Sequence, residues 1–406
     1  MTAVVVHGIG ALCTCDPLLG EAPGVIPDAA LVARDGVIVY AGPEAALDRS
    51  DVPRDALEVH ARGAAVIPGF VDAHTHIVWL GDRGDEYAQR AGGATYAEIA
   101  ASGGGIRATV RATAPGSVDE LAAAGRERAR RMLVNGTTTI EVKSGYGLEQ
   151  EAEMRELDAA ERLRQWQDLP EVVATYLPLH TTPDGPRDAY IDDVCTHGVA
   201  AAAKRATFVD AYCEAGAYTV AECARLFTAA AKHRLRPKIH AEQLSRTGGA
   251  LLAAQAGAVS ADHLEHATNT DLEALSKAGV VGVILPGASL VLGGPPPPGR
   301  RLIAAGCTVA VATDCNPGTC YSESMPLMIS LAVALGGLTP AQALVAATAG
   351  GAAALGLADR GILRRGLRCD AVILETPSWV DVGYHLGGDI VASVILDGRL
   401  EVPSKA

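Results

Sequence analysis

Eight short apolar runs punctuate the middle of this chain, near residues 65–72, 137–143, 172–178, 207–212, 236–240, 258–262, 280–285 and 307–313. The stretches between them are Ala-rich, with apolar residues at helical spacing. Runs of this length read as buried strands. Strands that alternate with amphipathic helices imply a parallel sheet covered by helices. Eight such units define an α/β architecture of the (β/α)8, TIM-like barrel kind. The helical stretches carry end signals. VDELAAAGRERARRMLVNG closes on Gly136, a C-terminal cap, and TVAECARLFTAAAKHRL opens on Thr219, an N-terminal cap. The run GGPPPPGR at 293–300 lacks the amide hydrogens a helix or central strand needs, and is expected as an exposed loop after the seventh strand.

Both ends of the chain have a different character. AVVVHGIG, AALVARDGVIVYAG and a segment ending near Val66 read as strands joined by Gly turns, as do GILRRGLRCDAVIL and IVASVILDGRLEV near the C-terminus. Asp35-Gly36 and Asp397-Gly398 are two-residue hairpin signals. Neither end is long enough to bury a β core alone. The expectation is therefore one small β-sandwich domain built from residues 1–62 and 356–406, beside a barrel spanning 63–355.

Composition removes several function classes. The 406 residues carry 34 Lys and Arg against 47 Asp and Glu, a net charge of −13. An acidic chain does not offer the basic surface that nucleic-acid phosphates require. No apolar run approaches the ~18–20 residues of a membrane span, and MTAVVVHGIG lacks the charged start of a signal peptide. Nine scattered cysteines, an odd number, suit a reduced cytoplasmic protein better than a disulfide framework. Cys13 and Cys15 have no second thiol pair at zinc-ribbon spacing and are expected to be structural.

In a barrel the chemistry sits at the carboxyl ends of the strands. The first run ends in DAHTH, with Asp72, His74 and His76; residues two apart on a strand face the same way, so both imidazoles project together. The second ends in EVKSGYG, with Lys143 and Tyr146, and the third at His180. The fifth ends in KIHAEQ, with His240, Glu242 and Gln243; the sixth in ADHLEH, with His263 and His266. The eighth ends in TDCNPGT, with Asp314, Asn316, Gly318 and Thr319. Six of the eleven histidines fall at these ends. Three histidines and a carboxylate are a plausible set for zinc or iron, which acidifies water to near neutrality. Some of these residues have a plainer explanation. Lys143 can be a solvated loop lysine, His266 an exposed residue at a helix start, and Asp72 a cap on the barrel rim. The region around Thr95 and Ser102-Gly103-Gly104-Gly105 lacks the strand–turn–helix context of a phosphate loop and is expected to cover substrate.

The order HxH, His, His, Asp on strands 1, 5, 6 and 8 resembles the amidohydrolase superfamily. HTHIVWLGDRGDEYAQRAGGATYAEIAASGGGI, TTTIEVKSGYGL, VDAYCE, KIHAEQ, VSADHLEH and TDCNPGT resemble, within it, the imidazolonepropionase family over about residues 66–350. Carried over by position, the resemblance implies one divalent or trivalent metal per chain, zinc or iron, held by His74, His76, His240 and Asp314. It implies catalytic roles for His263, Asp314 and Gln243. Substrate contacts fall on Arg83, Tyr146, His180, Gln243, Asn316, Gly318 and Thr319. The chain departs from the family in having Gln243 where some members have Glu, and LPLHTTP around His180. Residues 207–216 contain no lysine to bridge two metals, which favours a single one. The implied reaction is hydrolysis of the ring C–N bond of 4-imidazolone-5-propanoate to N-formimino-L-glutamate in histidine degradation, with Arg83 meeting the substrate's carboxylate. A homodimer is implied too. Another superfamily enzyme, such as a purine or pyrimidine aminohydrolase, is the alternative. A non-enzymatic assembly subunit is a further one, though no ligand position is lost.

Overall fold

The structure, a computed structural model, describes residues 3–48, 50, 52–94, 98, 99 and 103–402. Two eight-stranded sheets organise it. The first is assembled from both ends of the chain: β1 (Ala3–Cys13), β2 (Val25–Arg34), β3 (Val37–Pro43), β4 (Leu57–His60) and β5 (Ala65–Pro68) from one end. From the other end, skipping the barrel strands, come β14 (Ala371–Leu374), β15 (Val391–Leu396) and β16 (Arg399–Val402). The bridge between the ends is the antiparallel pairing of β5 with β14. The hairpin turns form where expected, with left-handed backbone at Asp35-Gly36 and Asp397-Gly398. A separate apolar core, including Ile9, Leu12, Leu31, Ile38 and Ile395, fills this unit.

The second sheet is the barrel: β6 (Phe70–Asp72), β7 (Thr137–Lys143), β8 (Glu171–Leu179), β9 (Phe208–Cys213), β10 (Arg236–Ala241), β11 (Ser260–His263), β12 (Val281–Ile284) and β13 (Val309–Val311). The strands run parallel in sequential order. Asp72 closes the seam between β6 and β13, its carboxylate accepting from the Thr313 amide at 3.0 Å and hydroxyl at 2.6 Å. Beyond it the chains stay paired: the Asp314 amide donates to the His74 carbonyl and the His76 amide to the Cys315 carbonyl, both at 3.0 Å. The rim cap envisaged for Asp72 is thus a staple between first and last strands.

The apolar run at 65–72 divides between the two sheets. Its first half is β5 of the terminal sheet and its second half is β6 of the barrel. Gly69 is the crossing point, and a Cβ there would lie 2.3 Å from the Thr138 hydroxyl, so no other residue fits. The helices begin as their caps dictate. Ser117 and Glu120 form a reciprocal capping box for the helix Val118–Val134, and Thr219 and Glu222 another for Val220–Ala231. The proline run is only partly an exposed loop. Gly293–Pro296 are exposed, but Pro297 and Pro298 are buried and lead into the helix Gly299–Ala304. Of the 93–105 segment, Thr95 and Ser102 lie outside the described residues. Among the described residues no helix is long and apolar enough to cross a membrane. All nine cysteines are free thiols, with Cys13 and Cys15 buried.

Candidate active site

The carboxyl ends of the barrel strands converge on a cavity of about 430 Å³. Residues that sequence separates by more than two hundred positions meet there. At its floor His74, His76 and His240 each offer a ring nitrogen, all within 4.8 Å of one another. The Nε2 atoms of His74 and His76 are 3.3 Å apart, and the Asp314 Oδ1 lies 3.5 Å and 3.6 Å from them. His240 Nε2 is buried with no hydrogen-bond partner. A buried nitrogen without a partner is costly, and several aimed at one point are what a cation resolves. The chemistry of the donors, imidazole nitrogen and carboxylate oxygen, fits a zinc- or iron-type ion.

The protonation states agree. Burial holds the imidazoles of His74 and His76 well below their usual range, with the Lys143 ammonium and neighbouring rings adding to it, so both are neutral. His180 is lowered to about 3, first by burial and then by His240. The carboxyl of Asp314 is pushed up to about 7 by burial, opposed mainly by His240.

Behind the histidines lies a layer of buried charge. His74 Nδ1 is 2.6 Å from Asp262 Oδ2, and His240 Nδ1 is 3.1 Å from Asp210 Oδ2. Lys143, envisaged as solvated, is fully buried. Its ammonium pairs with Asp210 at 2.7 Å and Glu141 at 2.9 Å, strong enough to override desolvation and hold its pKa above the usual lysine value. Lys238 pairs with Glu141 at 2.8 Å. Among the described residues a second donor group, His74, Glu141 and Asp262, also clusters. Its acid charge already meets the two lysines, so the three-histidine group is the better cation site. Carboxylates on the far side of ligand imidazoles fix which nitrogen carries the proton.

Around the cavity stand the other residues singled out from sequence. His76, His180, His240, His263, Tyr146, Gln243, Asp314, Asn316, Gly318, Thr319 and Arg83 all line it. His180 stacks on His76 with ring centroids 5.0 Å apart. Asn316 shapes the turn beneath the cavity: its Oδ1 accepts from the Gly318 and Thr319 amides at 2.8 Å, and its Nδ2 donates to the Asp314 carbonyl at 2.7 Å. Gly318 leaves room for Arg83: a Cβ there would lie 2.2 Å from the guanidinium and would push it out of its present position. Arg83 donates to Glu86 at 2.7–2.9 Å, rather than to Asp82 or Asp85. Non-glycine residues with positive φ gather at these strand ends: Glu242 (56°), His263 (80°), Leu264 (71°) and Asp314 (52°). Such backbone is typically retained at functional sites.

His266, envisaged as exposed, is half-buried and lines the cavity. Glu265 and Ser289 line it as well and were not singled out from sequence. Nor were Glu141, Asp210 and Asp262. Each is an acid inside a stretch read as a buried strand, and that signal could have marked them.

A closed parallel barrel with a histidine and carboxylate cluster at the carboxyl ends of its strands defines a metal-dependent hydrolase. The chain belongs to the amidohydrolase family, whose profile matches residues 65–400. Fold neighbours agree. An adenosine deaminase from Xanthomonas campestris, solved with bound zinc, superposes with a TM-score of 0.76 at 20% identity, covering 99% of this chain and 93% of that one. An ochratoxinase from A. niger superposes with a TM-score of 0.72 at 20% identity, covering 99% and 96%. Within the family the chain belongs to the imidazolonepropionases. It is 45% identical to the imidazolonepropionase of Symbiobacterium thermophilum, over 98% of this chain and 97% of the relative. It is 44% identical to that of Deinococcus radiodurans, over 98% and 99%, and 40% identical to that of Mycolicibacterium smegmatis, over 98% of each.

Proposed function

We propose that this enzyme hydrolyses the ring C–N bond of 4-imidazolone-5-propanoate, yielding N-formimino-L-glutamate in histidine degradation. The observation that carries the proposal is the gathering of the histidine and carboxylate cluster and Arg83 around one cavity. It occurs in a chain similar over nearly its whole length to proteins named imidazolonepropionase.

His74, His76, His240 and Asp314 would hold a single metal. When bound, that ion supplies Lewis acidity and brings water to a reactive state near neutral pH. The remaining steps belong to side chains. Asp314 accepts a proton from the attacking water and passes it to the ring nitrogen as the C–N bond opens. His263 and Gln243 orient the ring carbonyl and the leaving nitrogen. Arg83 exchanges its Glu86 pairing for the substrate's propanoate, a charge-assisted contact in a mostly buried setting. Tyr146, His180, Asn316, Gly318 and Thr319 complete the wall that excludes water from the ring. The same reading takes the barrel, which begins at β6 rather than at residue 63, as the catalytic domain, the terminal sheet with β5 as its supporting domain, and the assembly as a cytoplasmic homodimer.

The decisive experiment follows the ultraviolet absorbance of freshly prepared imidazolonepropionate with purified protein, before and after chelation and after adding back zinc or iron. Turnover lost on chelation and regained with one equivalent of one ion per chain is expected. Absence of turnover in every metal-loaded form, or turnover of a purine or pyrimidine instead, overturns the assignment.

A further inference from the structure

The motif ADHLEH places two functional candidates, His263 and Glu265, around a backbone reversal. His263 and Leu264 both adopt positive φ, at 80° and 71°. Two consecutive non-glycine residues rarely do so. The result is that Glu265 returns to the same cavity wall as His263 instead of continuing away from it. Its side chain is buried, 4% exposed. One oxygen is anchored: Ser289, on the short helix Pro286–Leu292 that follows β12, donates its hydroxyl to Glu265 Oε1 at 2.6 Å. The other oxygen, Oε2, is buried and has no hydrogen-bond partner. His263 Nδ1 is likewise buried and without one. These two atoms lie 3.9 Å apart.

Two orphaned polar atoms in one dry place cost free energy unless they satisfy each other. An approach of about 1 Å brings them to ordinary hydrogen-bond distance. We infer that Glu265, seated on the Ser289 hydroxyl, is a positioning residue that fixes the ring of His263 through Nδ1 and so determines which of its nitrogens faces the reacting atoms. An Nδ1–H donated to the carboxylate leaves the Nε2 lone pair free toward the cavity. The opposite tautomer would present a proton there instead. Burial pushes the Glu265 carboxyl up to about 7; the Ser289 hydroxyl opposes it, and the nearby charges of Asp314 and Glu214 add a smaller push. The interaction is therefore read at pH 8, where the carboxylate is the acceptor. The inference rests on the catalytic role proposed for His263, but its structural half can be tested without turnover.

The probe is the zinc-loaded full-length protein labelled with 15N-histidine, with the His263 signals identified by their loss in His263→Asn. At pH 8 the expected wild-type spectrum shows His263 protonated at Nδ1 with an unprotonated Nε2. Glu265→Leu, which fills the space without an acceptor, should shift His263 toward the Nε2-protonated form. It should also lower kcat on the order of 10- to 100-fold, with KM changed little. Glu265→Gln keeps an acceptor without the charge and should fall between the two. Ser289→Ala, which leaves the carboxylate in place but unanchored, should lower kcat by a few fold, and serves should the Leu variant fail to fold. Unchanged His263 signals in Glu265→Gln and Ser289→Ala, with wild-type kcat, overturn the inference. Loss of kcat with an unmoved His263 tautomer overturns it also, by reducing Glu265 to a packing role. A wild type inactive on imidazolonepropionate would refute the proposed substrate and leave the tautomer result standing.

Discussion

Individual side chains divide into those that would bind the ion and those that would use it, and substitution separates the two. His240 has a buried nitrogen without a partner and His74 is oriented by Asp262. Replacing either with Ala should lower bound metal, measured by elemental analysis, together with rate. Asp314→Asn keeps volume and one oxygen donor but removes the base. Turnover should fall about 10²-fold or more while part of the metal is retained. Near-normal turnover would make Asp314 a ligand only. Arg83 offers a finer test, because it is already paired with Glu86. Losing a charge-assisted bond in a closed site costs about 1.5–3 kcal/mol, so Arg83→Ala should cut kcat/KM on the order of 10- to 150-fold with metal still bound. Glu86→Gln removes the competing carboxylate and should lower KM a few fold. If an imidazolone without the carboxylate suffered equally from Arg83→Ala, the guanidinium would be holding the Gly318 turn rather than substrate.

Elements set these residues in place, and one carries a pH-dependent load. The helix Gln150–Arg164 presents Glu153 and Glu156 to the loop after β7 that bears Tyr146. Glu153 Oε1 accepts from the Gly147 and Leu148 amides at 2.9 Å, and Glu156 Oε2 from the Tyr146 amide at 3.3 Å. Burial pushes both carboxyls up, Glu153 to about 7, while the Ser144 hydroxyl and the loop amides oppose it; Glu156 is pushed further by Glu153. A folded-state value above the unfolded one means the native state prefers the neutral acid. Stability from Glu153 is therefore full below its ordinary 4.5 and lost as pH rises toward about 7. Glu153→Gln keeps an acceptor for both amides without a charge. Its stability relative to wild type, from urea unfolding at pH 5, 6, 7 and 8, should rise across that window and level off above it. Parallel curves for the two proteins would mean that the acid is ionised at little cost. The strand runs themselves were legible because parallel strands buried on both faces read as unbroken apolar stretches. The division at Gly69 was not, since a run of apolar residues carries no sign of which sheet each half will join. The ligand histidines were visible because strand ends concentrate them. The burial of Lys143 was hidden, because its nearest counter-charge, Asp210, sits two strands away on β9, and which side chains meet inside a barrel is a property of closure.

At the scale of the whole molecule the two ends of the barrel are specialised. The carboxyl ends of the strands carry the cavity, and the amino ends carry the junction with the rest of the chain. Arg360, 5% exposed, follows the last barrel helices and reaches back to that lower face. It donates to the Thr139 hydroxyl on β7 at 3.1 Å and pairs with Glu171, the first residue of β8, at 3.0 Å. Arg368 shares Glu171 and also holds Asp370, just before β14, and Asp397, in the turn before β16. One glutamate at the bottom of the barrel is thus shared by two arginines, and Arg368 ties it to the terminal sheet. Arg360→Met retains the apolar stem but leaves the Thr139 hydroxyl without its donor and Glu171 with one partner fewer. Glu171 is about one-third exposed and Asp359 more than half, so solvent compensates much of their loss. The expected cost is about 1–3 kcal/mol, dominated by the buried end of the guanidinium. Global stability in urea should drop by that amount with metal content, KM and kcat unchanged, because no group at the strands' carboxyl ends moves. A fall in kcat at full metal occupancy would instead mean that the terminal sheet and the cavity are mechanically coupled through β7 and β8.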